Sequence, residues 1–150
     1  MKAVMRRVLV LFLLVVPLAG LATTPEEAAL IRQSAERGNH GAQVLLGLIY
    51  RHGDAGYPRD DNLSAYWMLR AARQGNAYAQ GVMGDYCEQG MGVAKDLALA
   101  AHWRELAAVQ GNAEAQLKLG RMYIAGSGVV QDNARAERWL GMAADQGNAD

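Results

Sequence analysis

Cysteine, proline and phenylalanine are scarce in this chain, and the scarcity excludes several classes of protein. Cys87 is the only cysteine and Pro occurs three times among 150 residues. One cysteine can neither close an intrachain disulfide nor build a zinc site alone. The only phenylalanine is Phe12, and valine, isoleucine and threonine are sparse from Thr23 onward. Strands favour such side chains, so the composition disfavours a β-sandwich and favours closely packed helices.

The chain also lacks an excess of either charge. Lysine plus arginine and aspartate plus glutamate number 15 each, which gives a formal net charge of zero. This balance argues against a strongly basic nucleic-acid-binding protein, and we predict no nucleic-acid partner. With 51% hydrophobic and 20% charged residues, the chain is too apolar for a disordered protein.

The pattern of residues 1–22 is typical of a secretory signal peptide. A basic start precedes an apolar run over 8–16, and small residues lead to an expected cleavage after Ala22. The alternative is a retained membrane anchor. Pro17 interrupts the apolar stretch, which is shorter than the about 20 residues that a spanning helix needs. A lipid anchor is not expected, because Leu21 stands where a lipoprotein carries its lipidated cysteine.

We therefore expect a periplasmic or secreted bacterial protein with no stable membrane anchor after cleavage. Loss of Lys2, Arg6 and Arg7 leaves 12 basic and 15 acidic residues in the mature chain. This mildly acidic chain has no field that would attract DNA or anionic lipid. In an oxidising compartment, we expect Cys87 to be a buried, inert thiol, and an intermolecular disulfide is the alternative.

The rest of the sequence repeats with a step of 36 residues. Trp67, Trp103 and Trp139 keep this step, and Gly-Asn and Ala-Ala pairs keep it too. An earlier copy precedes them by 37 residues, because its turn holds one more residue. Each copy predicts a helix that starts at an asparagine cap and stops at a glycine, followed by a helix that starts at an aspartate cap and stops before the next Gly-Asn. The asparagines are Asn39, Asn76 and Asn112, the glycines are Gly53, Gly90 and Gly126, and the aspartates are Asp60, Asp96 and Asp132.

A further helix is predicted before the first copy. Thr24 is expected to cap it, Pro25 suits its first position, and the acids that follow favour a helix N-terminus. The predicted organisation is a signal peptide over 1–22 and one repeat domain over 23–150. Within that domain we expect a capping helix at about 25–37 and repeats at about 38–74, 75–110 and 111–147.

The recurring motif resembles the Sel-one-like repeat (SLR) family, relatives of the tetratricopeptide repeat. It reads Ala-Gln-x-x-x-Gly, an aromatic residue, Gly-x-Gly, Asp, Trp and Ala-Ala-x-x-Gly-Asn. The resemblance implies an all-α fold, an α/α superhelical solenoid of three helix pairs that binds other proteins. The chain departs from its own pattern at Cys87, where the sister copies have tyrosine, and at Ser64, where they have alanine.

Several columns of the repeat are interpreted as packing positions. A helical glycine costs about 1 kcal/mol relative to alanine, so the glycines at 47, 84 and 120 predict close helix contact. We expect the three tryptophans to lie in the core, together with Tyr50, Tyr86 and Tyr123. The Gly-x-Gly pairs recur with the unit and follow no strand, so they predict turns rather than phosphate-binding loops.

Catalytic, metal-binding and cofactor-binding residues are not predicted. His40, His52 and His102 are not spaced as a ligand pair, and no serine has a nucleophile-elbow context. The cysteine pairs of those family members that are linked to β-lactams are absent here. We therefore predict a non-enzymatic protein, and the alternative is a small enzyme that acts on the cell wall or on β-lactams through Cys87.

The predicted binding surface is the side that the first helix of each pair lines, which the family resemblance implies to be concave. Positions 3, 7, 10 and 14 after the glycine of each Gly-Asn pair share one face of the first helix. The residues at these positions differ among the copies, whereas the residues at the packing positions are kept. The alternative is that this variation marks solvent exposure alone. The surface runs from apolar to basic, so a protein partner with an apolar and an acidic end would suit it. The predicted partner-binding residues are Leu45, Leu48, His52, Tyr78, Val82, Asp85, Gln89, Glu114, Lys118 and Arg121.

The sequence leaves the identity and role of the protein partner open. An adaptor in envelope assembly or signalling and an immunity protein that blocks a toxin both fit. The end of the last repeat is a second candidate surface, because Leu140 and Met142 are apolar there. At that end we predict weak self-association or partner docking.

Overall fold

The computed structural model describes residues 24–147, which form seven α-helices and no strand. This confirms the predicted all-α solenoid. The predicted signal peptide lies outside the described residues. The helices are α1 (Pro25–Glu36), α2 (His40–His52), α3 (Asp61–Arg73), α4 (Ala77–Gln89), α5 (Leu97–Val109), α6 (Ala113–Ala125) and α7 (Asn133–Asp145).

The helices begin where the sequence predicts. The Thr24 hydroxyl accepts a hydrogen bond from the Glu27 amide at 3.2 Å, and the Glu27 carboxylate accepts one from the Thr24 amide at 3.1 Å. This capping box, with Pro25 in the first turn, fixes the start of α1. The three asparagine caps each accept a bond of 2.8 Å from the amide three residues on. The three aspartate caps do the same at 2.9 Å.

Two successive helices form a hairpin in each unit. The first helix ends at a glycine in the left-handed conformation, with φ of 69° at Gly53, 75° at Gly90 and 65° at Gly126. The loop then turns back, and the amide of the aspartate cap donates to a carbonyl near the end of the first helix. In the second unit this bond joins Asp96 to the Cys87 carbonyl at 2.8 Å. Because the bond uses the backbone, cysteine can replace the tyrosine of the sister units there.

The two helices of each hairpin touch at a helical glycine. A Cβ atom built on Gly120 would lie 2.7 Å from Leu140 Cγ and 3.2 Å from the Ala136 carbonyl oxygen. Gly47 meets Met68 in the same way, and Gly84 meets Arg104. The glycine column is therefore a packing requirement, as the sequence predicts.

Consecutive units are also joined by a column of buried glutamines. In the first unit, Gln43 donates from Nε2 to the Ala35 carbonyl of α1 at 3.1 Å, and its Oε1 accepts from Gln74 at 2.7 Å. One side chain thus ties the end of the preceding helix to the end of its own hairpin. Gln80 and Gln116 repeat both bonds.

The tryptophan column is buried less uniformly than predicted. Trp67 is 7% exposed, which confirms the expectation for the first unit. Trp103 and Trp139 are half-buried and pack against the main core from its edge. The three predicted core tyrosines are buried. Cys87, at 1% exposed, lies in the main core with Tyr86 and Tyr123, whereas Tyr50 lies in a second cluster with residues of α1 and α2.

A difference between neighbouring side chains explains the better shielding of Trp67. The Arg70 guanidinium lies 5.2 Å from the centroid of the Trp67 ring, and the Tyr66 ring contacts it edge-on at 5.1 Å. The residue that corresponds to Arg70 is Leu106 in the second unit and Met142 in the third. Neither can place a planar cation over the indole.

Within residues 24–147, no helix combines the length and the hydropathy that crossing a membrane requires.

Substitution of Trp67 by alanine is expected to destabilise the protein more than the same change at Trp139. Removal of a buried aromatic side chain lowers the free energy of unfolding by about 3–5 kcal/mol. The loss should be smaller at Trp139, because part of that side chain already contacts water. Urea denaturation followed by far-ultraviolet circular dichroism measures both values, and equal losses would contradict this account of the column.

Candidate functional site

The first helices of the three units lie side by side and form one surface, which we call the first-helix face. Lys118 on α6 forms an ion pair with Asp85 on α4, with Nζ 2.9 Å from Oδ1. On the other side of α4, the Arg51 guanidinium of α2 lies 5.5 Å from the centroid of the Tyr86 ring. Direct side-chain contacts therefore connect all three units across this face.

All ten predicted partner-binding residues belong to these three helices, but their burial differs. Val82 is buried in the main core. Leu45 and Leu48 are partly buried and pack against the core clusters. Asp85 and Lys118 are half-buried in ion pairs. The exposed members are His52, Tyr78, Gln89, Glu114 and Arg121.

A cleft of about 240 Å³ opens on this face between α4 and α6. Five predicted residues line it together, namely Tyr78, Val82, Asp85, Glu114 and Lys118. The other five predicted residues lie outside its lining. The sequence analysis missed Arg51, Gly81, Arg104, Asn112 and Ala115, which also line the cleft.

A chain of alternating charges runs along one wall of the cleft. Arg104 Nη2 lies 2.6 Å from Glu88 Oε2 and 2.8 Å from Asp85 Oδ1. Lys118 Nζ bridges Asp85 and Glu114, at 2.9 and 2.8 Å. Helices α4, α5 and α6 each contribute to this network, so it holds the second and third units in a fixed relation.

Arg104 is the least expected member of the network. Its side chain is 1% exposed, although it occupies the column that holds Met68 and Leu140 in the sister units. Besides its two carboxylates, its Nη1 contacts Met122 Sδ at 3.1 Å, and its Nε is buried without a partner among the described residues. Arginine in an otherwise apolar column was the sequence signal that could have identified it.

The network shifts the pKa values of its members. The hydrogen bond from Arg104 holds the pKa of the Glu88 carboxyl below its usual range. Burial opposes the charge on Lys118, but the hydrogen bonds to Glu114 and Asp85 outweigh it and raise its pKa. Burial raises the pKa of the Tyr78 phenol, so its hydroxyl stays protonated. These groups are fixed charges and a neutral donor at neutral pH, an arrangement that suits recognition.

Cys87 and the three histidines lie outside the lining of the cleft. Burial raises the pKa of the Cys87 thiol, which keeps it in the unreactive protonated form. Within residues 24–147, no three His, Cys, Asp or Glu side chains converge as metal ligands. His40 and His52 lie at opposite ends of α2, and His102 lies on α5.

The end of the last hairpin has a shallow apolar depression lined by Ile124, Ala136 and Leu140. Met142 nearby is 47% exposed. The polar neighbours Asn133 and Glu137 border the same depression. Self-association or partner docking at this end stays a prediction.

Comparison with known proteins places this arrangement in a family. The sequence profile of the Sel1 repeat matches residues 40–76, 77–112 and 113–148. A protective antigen present in uropathogenic Escherichia coli strains, displaying an SLR fold, is 38% identical with a TM-score of 0.77 over 80% of this chain. The match covers 26% of that antigen, so this chain spans about a quarter of its length.

Two further solved structures are similar over most of their own length. A Sel1 repeat protein from Oxalobacter formigenes is 38% identical with a TM-score of 0.74, over 80% of this chain and 90% of that one. The Helicobacter pylori cysteine rich protein B has the same fold at 21% identity and a TM-score of 0.65, over 85% and 94% of the two chains. None of the curated proteins matches the sequence significantly. Because the profile matches three consecutive repeats that cover most of the described residues, the chain belongs to the Sel1 repeat family.

Proposed function

We propose that this protein is an exported, non-enzymatic interaction module that binds a segment of another protein along its first-helix face. Sel1 repeat proteins are generally protein–protein interaction modules and typically scaffolds without catalytic activity. The observation that carries the proposal is the cleft between α4 and α6. Eight of its ten lining residues stand at positions that differ among the three units, and Asn112 and Ala115 belong to columns that are kept.

Tyr78 is the side chain best suited to anchor such a partner. It is 42% exposed at the cleft, beside the buried Val82 and the ion-paired Asp85. An exposed aromatic ring next to a polar network is a common composition of interface hot spots, where a few residues supply most of the binding energy. The sister positions are Gly41 and Glu114, so only the second unit offers an aromatic ring there.

Two roles fit a periplasmic module of this kind. One is an adaptor in envelope assembly or signalling, and the other is an immunity protein that blocks a secreted toxin. Both need a rigid surface that presents fixed charges to one partner. The network across α4, α5 and α6 supplies such a surface.

Export is supported by the basic start, the apolar run and the small residues within positions 1–22. If the segment is a signal peptide, the mature chain should begin at Thr23. Mass spectrometry of protein recovered from the periplasm measures this terminus directly. An intact Met1 on membrane-bound protein would instead indicate a retained anchor.

Replacement of Tyr78 by alanine should weaken partner binding, with Tyr66→Ala as the matched control. Both tyrosines are exposed, at 42% and 50%, but Tyr66 lies on a second helix, α3. Loss of a hot-spot aromatic costs about 2 kcal/mol, which is roughly thirtyfold in affinity. The partner is first captured from periplasmic extract with the tagged wild-type protein, and the affinities of both variants for the purified partner are then compared by calorimetry. If Tyr66→Ala weakens binding and Tyr78→Ala does not, the binding surface is wrongly assigned.

A further inference from the structure

Gly81 is a helical glycine without a packing reason. The glycines at 47, 84 and 120 each face a neighbouring helix, and a Cβ atom on them would lie within 2.7–3.1 Å of another side chain. A Cβ atom on Gly81 would come no closer than 3.9 Å to any neighbour, the nearest being Asn112 Nδ2. Glycine inside a helix costs about 1 kcal/mol relative to alanine. At Gly81 no helix contact offsets that cost.

The missing side chain opens the cleft. Gly81 lines it, and the corresponding residues in the sister units are Val44 and Leu117, both partly buried. The volume of the cleft is about 240 Å³. It lies below the about 300–1,000 Å³ of typical small-molecule pockets. The space therefore suits one side chain of a partner rather than a whole cofactor.

The charges that line the cleft favour an acidic side chain. Arg104 and Lys118 are both paired with carboxylates of this chain. Arg51 also lines the cleft, but its side chain forms no ion pair or hydrogen bond among the described residues. Its guanidinium lies over the Tyr86 ring, and its charge partly offsets the effect of burial on the pKa of the Tyr78 phenol. Glu114 is exposed there too, and Lys118 neutralises it at 2.8 Å. Arg51 is thus the one lining cation among residues 24–147 without an anionic partner.

We propose that the cleft receives one acidic side chain of the partner segment, with its stem over Gly81 and its carboxylate paired with the guanidinium of Arg51. This inference rests on the proposed function and specifies the chemistry of the partner at one point. Arginine binds a carboxylate with a bidentate geometry, and the contact with the Tyr86 ring holds the guanidinium in place.

Peptide selection tests this pairing without knowledge of the natural partner. A random dodecapeptide library displayed on phage is selected against the purified full chain, and the affinities of the selected peptides are measured by fluorescence polarisation. We expect binders with a recurring aspartate or glutamate. Arg51→Gln should weaken them by about tenfold or more, because a hydrogen-bonded charge pair is lost. Gly81→Leu should weaken them similarly by filling the cleft.

Two matched controls separate the cleft from general effects. Arg70→Gln removes a cation that also forms no ion pair among the described residues, but on the second helix α3. Arg70 lies over the rings of Tyr66 and Trp67 and donates a hydrogen bond to the Tyr66 hydroxyl at 3.3 Å. Gly141→Leu adds the same side chain to a helical glycine of α7 that has no neighbour within 4 Å. Neither control should change the affinity by more than about twofold, within the scatter of surface substitutions.

Three outcomes would overturn the inference. If the selected peptides are rich in lysine or arginine and their binding depends on Glu114, the cleft receives a basic side chain and not an acidic one. Acidic binders that tolerate both Arg51→Gln and Gly81→Leu would place the contact elsewhere. In either case the proposed function survives if Tyr78→Ala still weakens the peptides. A library that yields no binder counts against the proposed function itself, and the inference falls with it.

Discussion

The close approach of two helices at a glycine is the constraint on which the structure depends. At each hairpin, the second helix places a large side chain and a backbone carbonyl against a position that has no room for a Cβ atom. This contact sets the distance between the helices, and the buried glutamines then fix one hairpin to the next. The residues of these columns are needed for packing in every unit. The variable residues of the first helices are not, so they are the part of the repeat that can change without loss of the fold.

The second unit uses this freedom more than its sisters do. Its column residue opposite Gly84 is an arginine, which needs the carboxylates of Asp85 and Glu88 beside it. The buried Tyr86 hydroxyl of the second unit lies 2.7 Å from the hydroxyl of Ser64, which belongs to the first unit and stands where the sister units have alanine. The other buried polar atoms of these side chains have partners in the same region, and Arg104 Nε is the exception. The result is a rigid charged wall next to the open position at Gly81.

The structural features that can be predicted from the sequence are local and recur in every unit. The features that it does not predict occur in one unit only or depend on contacts between helices. The Asn and Asp caps are recognisable because a cap and its amide are three residues apart, and the glycine stops need only a local backbone conformation. The burial of Arg104 was missed because its carboxylates lie on another helix, 16 and 19 residues away. The half-burial of Trp103 depends on what covers the ring, which a shared column does not show. Arg51, Gly81 and Arg104 in the cleft lining escaped prediction because the shape of a cleft depends on how the helices of neighbouring units meet. The family resemblance indicated the first helices, and periodicity selected the residues that share one face of each.

The most direct measurement compares Gly84→Ala with Gly81→Ala, the same substitution three residues apart on one helix. A Cβ atom at Gly84 would lie 2.7 Å from Arg104 Cγ, whereas at Gly81 its nearest neighbour would be Asn112 Nδ2, at an unstrained 3.9 Å. Chemical denaturation should therefore show Gly84→Ala less stable than the wild type by about 1–3 kcal/mol, the usual cost of overpacking. It should show Gly81→Ala more stable by about 1 kcal/mol, from helix propensity alone. A shift of the same sign in both variants would contradict the separation of packing positions from free positions.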